Sequence, residues 1–415
     1  FGVDARTYIG YHYRIVEDRL GANAYFDNRD INNPNRTLYN TYPAKPSLNP
    51  WANIKDQEKI EYNNNGYVNW LGAFTQLEYS TDKLSAFFQG AISQQGFQRE
   101  DTFVYLASNP LYKTKFENLL GGNVKGGVNY NISESSNVFV NSGFYSKQPF
   151  FNAVYPNNQS IVAANLVNEK VLGLEGGYGY RSSMFSANLN VYYTSWKDRY
   201  QRNSDAAADN IGGYYDFNGL TEIHSGVELE MNAKPLPKLS VNAMISIGNW
   251  IYKGNVASNR YDAENNKISG GTSTTLFLDK LKVGDAAQNT ASIGARYELV
   301  ERVSLDANYR VADKLYASID PSKFTTEQNS GTLQLPSYGL MDAGFSYKML
   351  VGKDKDDSVS FRLNVNNVLN EIYISESRTN NFATGNTPTY DGVATTNQVY
   401  FGYGRTWNFS LRYNF

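Results

Sequence analysis

The chain has 415 residues, a formal net charge of −2 and no cysteine, which argues against a nucleic-acid footprint and excludes disulfides, thiolate metal sites and cysteine nucleophiles. Mean hydropathy is −0.51, and no run approaches the ~18 apolar residues of a membrane helix. Yet 33 Tyr and 22 Phe bring the aromatic share to 14%, an excess that a globular core does not need and that the interfacial girdles of a membrane barrel explain.

Alternation of apolar and polar residues predicts strands near 2–14, 66–81, 83–98, 116–131, 136–147, 166–181, 183–198, 218–234, 238–254, 285–300, 302–318, 336–350, 357–375 and 398–415, because successive strand side chains point to opposite faces. The first sets Val3, Ala5, Ile9, Tyr11 and Tyr13 against Asp4, Arg6, His12 and Arg14. Further on, Val303, Leu305, Ala307, Tyr309 and Val311 oppose Ser304, Asp306, Asn308 and Arg310. Val359, Phe361, Leu363 and Val365 oppose Ser360, Arg362, Asn364 and Asn366. In the last segment, Phe401, Tyr403, Arg405, Trp407, Phe409, Leu411, Tyr413 and Phe415 share one parity, almost wholly apolar and aromatic, with Gly402, Gly404, Thr406, Asn408, Ser410, Arg412 and Asn414 on the other. Read as one strand, those fifteen residues would span roughly 50 Å and project beyond the ~25 Å apolar band of an outer-membrane barrel.

The connections alternate as well. Short ones fall at Thr81-Asp82, Ser133 to Ser135, Arg181-Ser182, Leu236-Pro237, Val300-Glu301 and Lys353 to Asp356. Long ones fall near 15–65, 99–115, 148–165, 199–217, 255–284, 319–335 and 376–397. Short turns at one end and long loops at the other belong to outer-membrane barrels, not to propellers or sandwiches. The predicted fold class is all-β, a transmembrane antiparallel β-barrel, with residues 1–415 as one domain.

Particular residues carry a resemblance. Leu363 through Tyr373, with Asn364, Asn366, Asn367 and Tyr373, resembles the penultimate-strand motif of TonB-dependent outer-membrane receptors. Tyr145-Ser146-Lys147-Gln148-Pro149-Phe150 resembles a strand end of that family, with its proline displaced. Asn168-Glu169-Lys170 through Glu175, Gly177 and Tyr178, then Tyr192-Tyr193 and Lys197-Asp198-Arg199, are similar to the paired strands that follow. Gly226 to Glu230 and Leu335 to Tyr338 match two further signatures, and the opening Gly2 to Arg6 with Tyr11 to Arg14 is most like receptors of the Bacteroidota.

The resemblance implies a plugged barrel of about 22 strands, of which fourteen are readable here, so about eight and the plug are expected outside the sequence. The start at Phe1, inside a strand pattern and without methionine, is read as the mature part of a longer secreted polypeptide. The implied function is active uptake of a scarce nutrient across the bacterial outer membrane: an iron chelate, cobalamin, oligosaccharide or peptide. The alternatives are a passive fourteen-stranded channel and a surface adhesin. Implied partners are outer-membrane lipid and lipopolysaccharide, the TonB complex through the missing N-terminal part, the barrel-insertion machinery and a surface lipoprotein. The family gives Phe409, Leu411, Tyr413 and Phe415 the role of an assembly signal.

No catalytic residues, metal ligands or cofactors are expected. His12 and His224 stand alone on different strands and read as lumen or interface residues, since a metal needs several placed ligands. Asp27, Asp30, Asn32 and Asn33, and Asp262, Glu264, Asn265 and Asn266, lack the spacing of a calcium loop and read as solvated turns. Glu228 with Glu230, and Asp4 with Arg6, share strand faces and read as lumen charges. The loop tyrosines 105, 112, 155, 214, 215 and 261 lie where substrate would first touch, although packing within the loops explains each one taken alone.

Overall fold

The computed structural model describes residues 1–41, 51, 57–163, 166–205, 210–263, 266–268 and 274–415. Fourteen long strands form one hydrogen-bonded path in sequence order. They are β1 (Gly2–Arg14), β2 (Ile60–Ser80), β3 (Leu84–Asp101), β4 (Glu117–Ser133), β5 (Ser136–Lys147), β6 (Glu169–Arg181) and β7 (Phe185–Ser204). Then come β8 (Tyr214–Leu236), β9 (Leu239–Tyr252), β10 (Asn289–Val300), β11 (Val303–Asp313), β12 (Tyr338–Val351), β13 (Asp357–Asn366) and β14 (Thr406–Asn414). Every predicted strand is present, because a side-chain period of two is read directly from the residues. Two short strands, Val256–Tyr261 and Thr274–Leu276, extend the sheet from β8.

The chain forms two compact units. The first comprises Phe1–Gln76, Gln89–Val124 and Tyr145–Glu169; the second comprises Leu77–Phe88, Lys125–Phe144 and Lys170–Phe415. In the second unit the register sets apolar side chains in continuous outward rows. Leu305, Phe345, Leu363 and Phe409 are successive cross-strand partners, as are Val303, Tyr347, Phe361 and Leu411. The apolar parity read from the sequence on β11, β13 and β14 is the outward one, and Leu305, Tyr309, Leu363, Phe409, Leu411 and Tyr413 are exposed, with Trp407 at 72%. Large apolar side chains left bare in rows across several strands require an apolar solvent.

The packed cores lie where the long connections fold. In the first unit, Val16, Leu38 and Ile60 form one cluster and Phe97, Val154 and Tyr155 another. In the second, Phe217, Leu220, Leu276, Leu278, Ile319 and Phe324 belong to one, and Leu315, Ala317, Leu333, Leu335, Ile374 and Val393 form another. The long connections therefore fold into structure of their own, which loop composition alone did not reveal.

Two strand boundaries are corrected. The last strand is nine residues long, not fifteen; at ~3.3 Å per residue and ~40° of tilt it rises roughly 23 Å, the height of the apolar band itself. Residues Gly402 to Arg405 leave the ladder because their backbone is bound elsewhere: Gly402 N–H donates to Tyr373 O at 3.0 Å and Arg405 N–H to Asn370 Oδ1 at 3.0 Å. Likewise β13 stops at Asn366, because Asn367 and Asn370 adopt left-handed φ values of 48° and 56°, which asparagine tolerates in turns.

Candidate functional site

The inner face of the second unit's sheet carries polar residues at every second position. On β11 to β13, Arg362 donates to Asp306 Oδ1 at 2.8 Å, to Ser346 Oγ at 2.8 Å and to Asn364 Oδ1 at 2.7 Å. Asp306 lies on β11 and Arg362 on β13, so the ion pair passes over β12. Gly344 of β12, the register partner of Asp306, makes this possible: a Cβ there would stand 2.7 Å from Asp306 Oδ1 and against the Arg362 guanidinium. Arg310 pairs with Asp342 at 2.7 Å. These pairs leave the wall polar with little net charge.

Towards the loops, β7, β8 and β9 present an aromatic shelf. The His224 and Trp250 rings stack at 5.0 Å and 14°. Trp250 Nε1 donates to Tyr192 Oη at 2.9 Å, and His224 Nε2 lies 3.0 Å from Glu222 Oε2. Glu222 also pairs with Arg199, whose guanidinium lies 4.3 Å from the Trp196 ring centre. Flat π faces beside paired donors and acceptors suit a ligand with rings and polar substituents. His224 was singled out in the sequence as a lone histidine; its stacking and its carboxylate partner depend on register, which no local motif encodes. Glu228 accepts from Asn190 and Ser246, each at 3.4 Å. In the first unit, the Arg6 guanidinium lies 2.8 Å from Asp4 and 5.4 Å from the Trp70 ring, and His12 is the register partner of Asn64.

The loop tyrosines divide between packing and edge positions. Tyr155 and Tyr214 are buried. Tyr155 Oη hydrogen-bonds Thr114 Oγ1 at 2.8 Å, and Tyr214 stacks on Tyr261 at 4.9 Å with Arg202 over its ring. Burial raises the pKa of the Tyr105, Tyr112 and Tyr155 phenols, so they act here as neutral donors. Asp216, in the β8 extension well beyond the lipid-facing segment that starts at Val227, is pushed up to about 6 by burial, against the opposing pull of Arg202 and Lys267.

Asp27 and Asp30 are buried at 2% and 3%, not solvated as expected. Asp27 binds Arg36 at 2.7 Å, while Asp30 accepts from the backbone of Asn32 and Asn33 at 3.0 and 3.2 Å; the carboxylates close a turn. Asp262 accepts from the Asn266 backbone at 2.7 Å, and Glu264 and Asn265 lie outside the described residues. Among the described residues no group of three or more His, Asp or Glu side chains is arranged to hold a metal.

The Asn motif is a staple. Asn364 and Asn366 donate from β13 to Asn408 Oδ1 at 2.9 Å and Thr406 Oγ1 at 3.2 Å on β14. Asn367 donates to Glu371 O and Tyr403 O at 2.9 and 3.2 Å and accepts from the Glu371 N–H. Tyr373 stacks on Tyr338 at 4.2 Å, and any side chain at Gly402 would collide with its ring. Asn370, Asp342 and Gly402 complete the staple and were missed as partners, because they come from three separate stretches. Phe409, Leu411 and Tyr413 face outward on β14, and Phe415 follows the strand fully exposed.

The family model for "TonB dependent receptor-like, beta-barrel" matches residues 1–368. Among solved structures, the chain is similar to the siderophore receptor PiuA from Acinetobacter baumannii, with TM-score 0.59 and 14% identity over 99% of this chain and 53% of that one. It is similar to the closed form of the ferric-catecholate import receptor Fiu from E. coli K12, with TM-score 0.56, 14% identity and coverage of 99% and 51%. It is similar also to the copper transporter OprC, with TM-score 0.57, 12% identity and coverage of 86% and 50%. The chain thus spans about half the length of these structures. No curated protein sequence matches it. The family match across most of the chain, the outward apolar rows, the polar inner face and the folded loop ends agree, and the chain belongs to the TonB dependent receptor-like β-barrel family of the bacterial outer membrane.

Proposed function

We propose that this chain is part of the barrel wall of a TonB-dependent importer that captures a scarce metal chelate at its loop end and passes it along the polar inner face. The observation that carries this reading is the juxtaposition, on β7 to β9, of the Tyr192, His224 and Trp250 shelf with a polar wall beneath it. Aromatic faces and phenol donors recognise the ring ligands of a chelate, and a wall of paired charges and amides solvates it in transit without holding it tightly. The similar structures are named for ferric-catecholate import, siderophore reception and copper transport, which supports the same class.

A barrel in lipid cannot keep bare strand edges. In the sheet order β1 bonds β2 and β14 bonds β13, and the path ends at these two strands. We infer that further strands of the whole protein complete the wall, that a plug fills its lumen, and that inner-membrane TonB supplies the energy. A passive channel or an adhesin needs neither plug nor energy coupling and fits the family less well. The test is uptake of a radiolabelled ferric catecholate by cells carrying the full-length gene as their sole outer-membrane iron receptor. Uptake should require TonB and fall about tenfold or more with Trp250→Ala, the loss of one ~1.4 kcal/mol contact or better. TonB-independent uptake would instead establish a passive channel.

A further inference from the structure

Four aromatic rings on the inner face of β3 to β9 each lie against a glycine. A Cβ added at Gly127 would stand 2.6 Å from the Phe87 ring, and one at Gly177 would stand 2.6 Å from the Phe139 ring. At Gly226 it would meet Tyr192 Oη at 2.6 Å, and at Gly248 it would meet Trp250 Nε1 at 2.9 Å. The rings come from alternate strands, β3, β5, β7 and β9, and the first three glycines from the strands between them, β4, β6 and β8. With no Cβ beneath it, a ring can lie flat on the sheet. All four are half-buried, so the wall covers one face and the lumen receives the other.

The rings climb the wall. β3, β5, β7 and β9 start at the short-turn end, at Leu84, Ser136, Phe185 and Leu239. Phe87 and Phe139 are the fourth residues of their strands, Tyr192 the eighth and Trp250 the twelfth. Eight residues of a strand tilted by ~40° rise roughly 20 Å, most of the ~25 Å apolar band. The register sets the steps. Gly177 faces Asn190, two residues short of Tyr192. Tyr192 faces Gly226, whose other partner, Gly248, is two residues short of Trp250. A step of two strands across and two residues up is roughly 12 Å. At the lower end, Phe87 and Phe139 line a hollow of about 460 Å³ together with the amides of Asn129 and Asn141. The upper end is the shelf of Tyr192 and Trp250.

We propose that Phe87, Phe139, Tyr192 and Trp250 form an aromatic track that guides a ring-bearing solute from the loop-end shelf down to the short turns. A flat π face attracts another ring without fixing a single orientation, and the neighbouring amides take the solute's polar edge. Several weak sites in sequence pass a solute on, where one tight site would hold it. This deepens the uptake reading and rests on it: the solute follows this stretch of wall when the plug yields. Rings laid on glycines also support a sheet, but that role is blind to the solute and to the split between binding and passage.

The test uses the full-length protein in cells and radiolabelled ferric catecholate as the solute. Phe87→Leu with Phe139→Leu keeps apolar bulk and removes the two lower rings, which lie outside the shelf. The Kd for the chelate at the surface of cells lacking TonB should be unchanged, while the maximal TonB-dependent uptake rate falls about fivefold, the worth of a ring contact. Phe87→Tyr with Phe139→Tyr should keep the rate. Folding is checked by the heat-dependent shift in gel mobility; if the double leucine variant fails that check, Phe139→Leu is scored against Phe139→Tyr. An unchanged rate overturns the track. So does a slower rate accompanied by TonB-independent entry of a large glycopeptide antibiotic, because the rings would then be holding the plug. If the unmodified protein neither binds nor takes up the chelate, the uptake reading fails and the track with it; uptake that the leucines leave unaltered removes the track alone.

Discussion

Arg362 finds its carboxylate two strands away, and that reach exists only because β12 carries hydrogen in place of a side chain at residue 344. Gly344→Val is expected to push the guanidinium off Asp306 and destabilise the wall by ~1–3 kcal/mol, as overpacking does elsewhere; urea titration of the protein in lipid vesicles measures it. Asp216 sets a second expectation. Its pKa, raised to about 6 from 3.8 mainly by burial, means that the folded extension favours the protonated carboxyl. The contribution is full below about pH 4 and is lost as pH rises through about 6. The protection factors of amides in residues 214–217 and 258–261, taken relative to the intrinsic exchange rate at each pH, should therefore be larger at pH 5 than at pH 8, and Asp216→Asn should abolish the difference. Equal protection at both pH values would show that the carboxyl is not desolvated.

Single strands expose what alternation can and cannot tell. All fourteen were read from a period of two, since one face must meet lipid and the other water, and the pattern repeats within each strand without reference to its neighbours. The staple around Asn367 was visible only as a motif, not as a turn. Its partners Asp342 and Tyr403 become neighbours only after β12, β13 and β14 are in register, and only then does Arg405 meet Asn370. The shelf of Tyr192, His224 and Trp250 was hidden for the same reason, and the loop cores because aperiodic segments carry no facing signal. At this scale Leu411→Arg should cost ~2–4 kcal/mol if Leu411 meets the middle of the bilayer, read from unfolding in vesicles; a neutral outcome would remove β14 from lipid. Truncation of Phe415 together with Tyr413 is expected to reduce the outer-membrane yield of folded protein severalfold on heat-modifiability gels. An unchanged yield would deny these aromatics a role in assembly.

At the scale of the whole molecule, the buried apolar clusters belong to the loop ends, while the outward rows of the sheet are exposed and await lipid. Residues 1–415 expressed alone should form no protease-resistant monomeric barrel, whereas the full-length protein should; a resistant barrel from this chain alone would show that the wall needs no further strands. The clamp from Arg362 to Asp306 also decides how such a wall comes apart under tension. A force applied at the C-terminal end of β14 peels that strand first, since tension reaches it before β13. The next strand is tethered past its neighbour, so β13 and β12 should detach as one mechanical event instead of two. Pulling a single molecule from a membrane would register one short step followed by a hairpin-length step, and Asp306→Asn should split the second into separate strand releases.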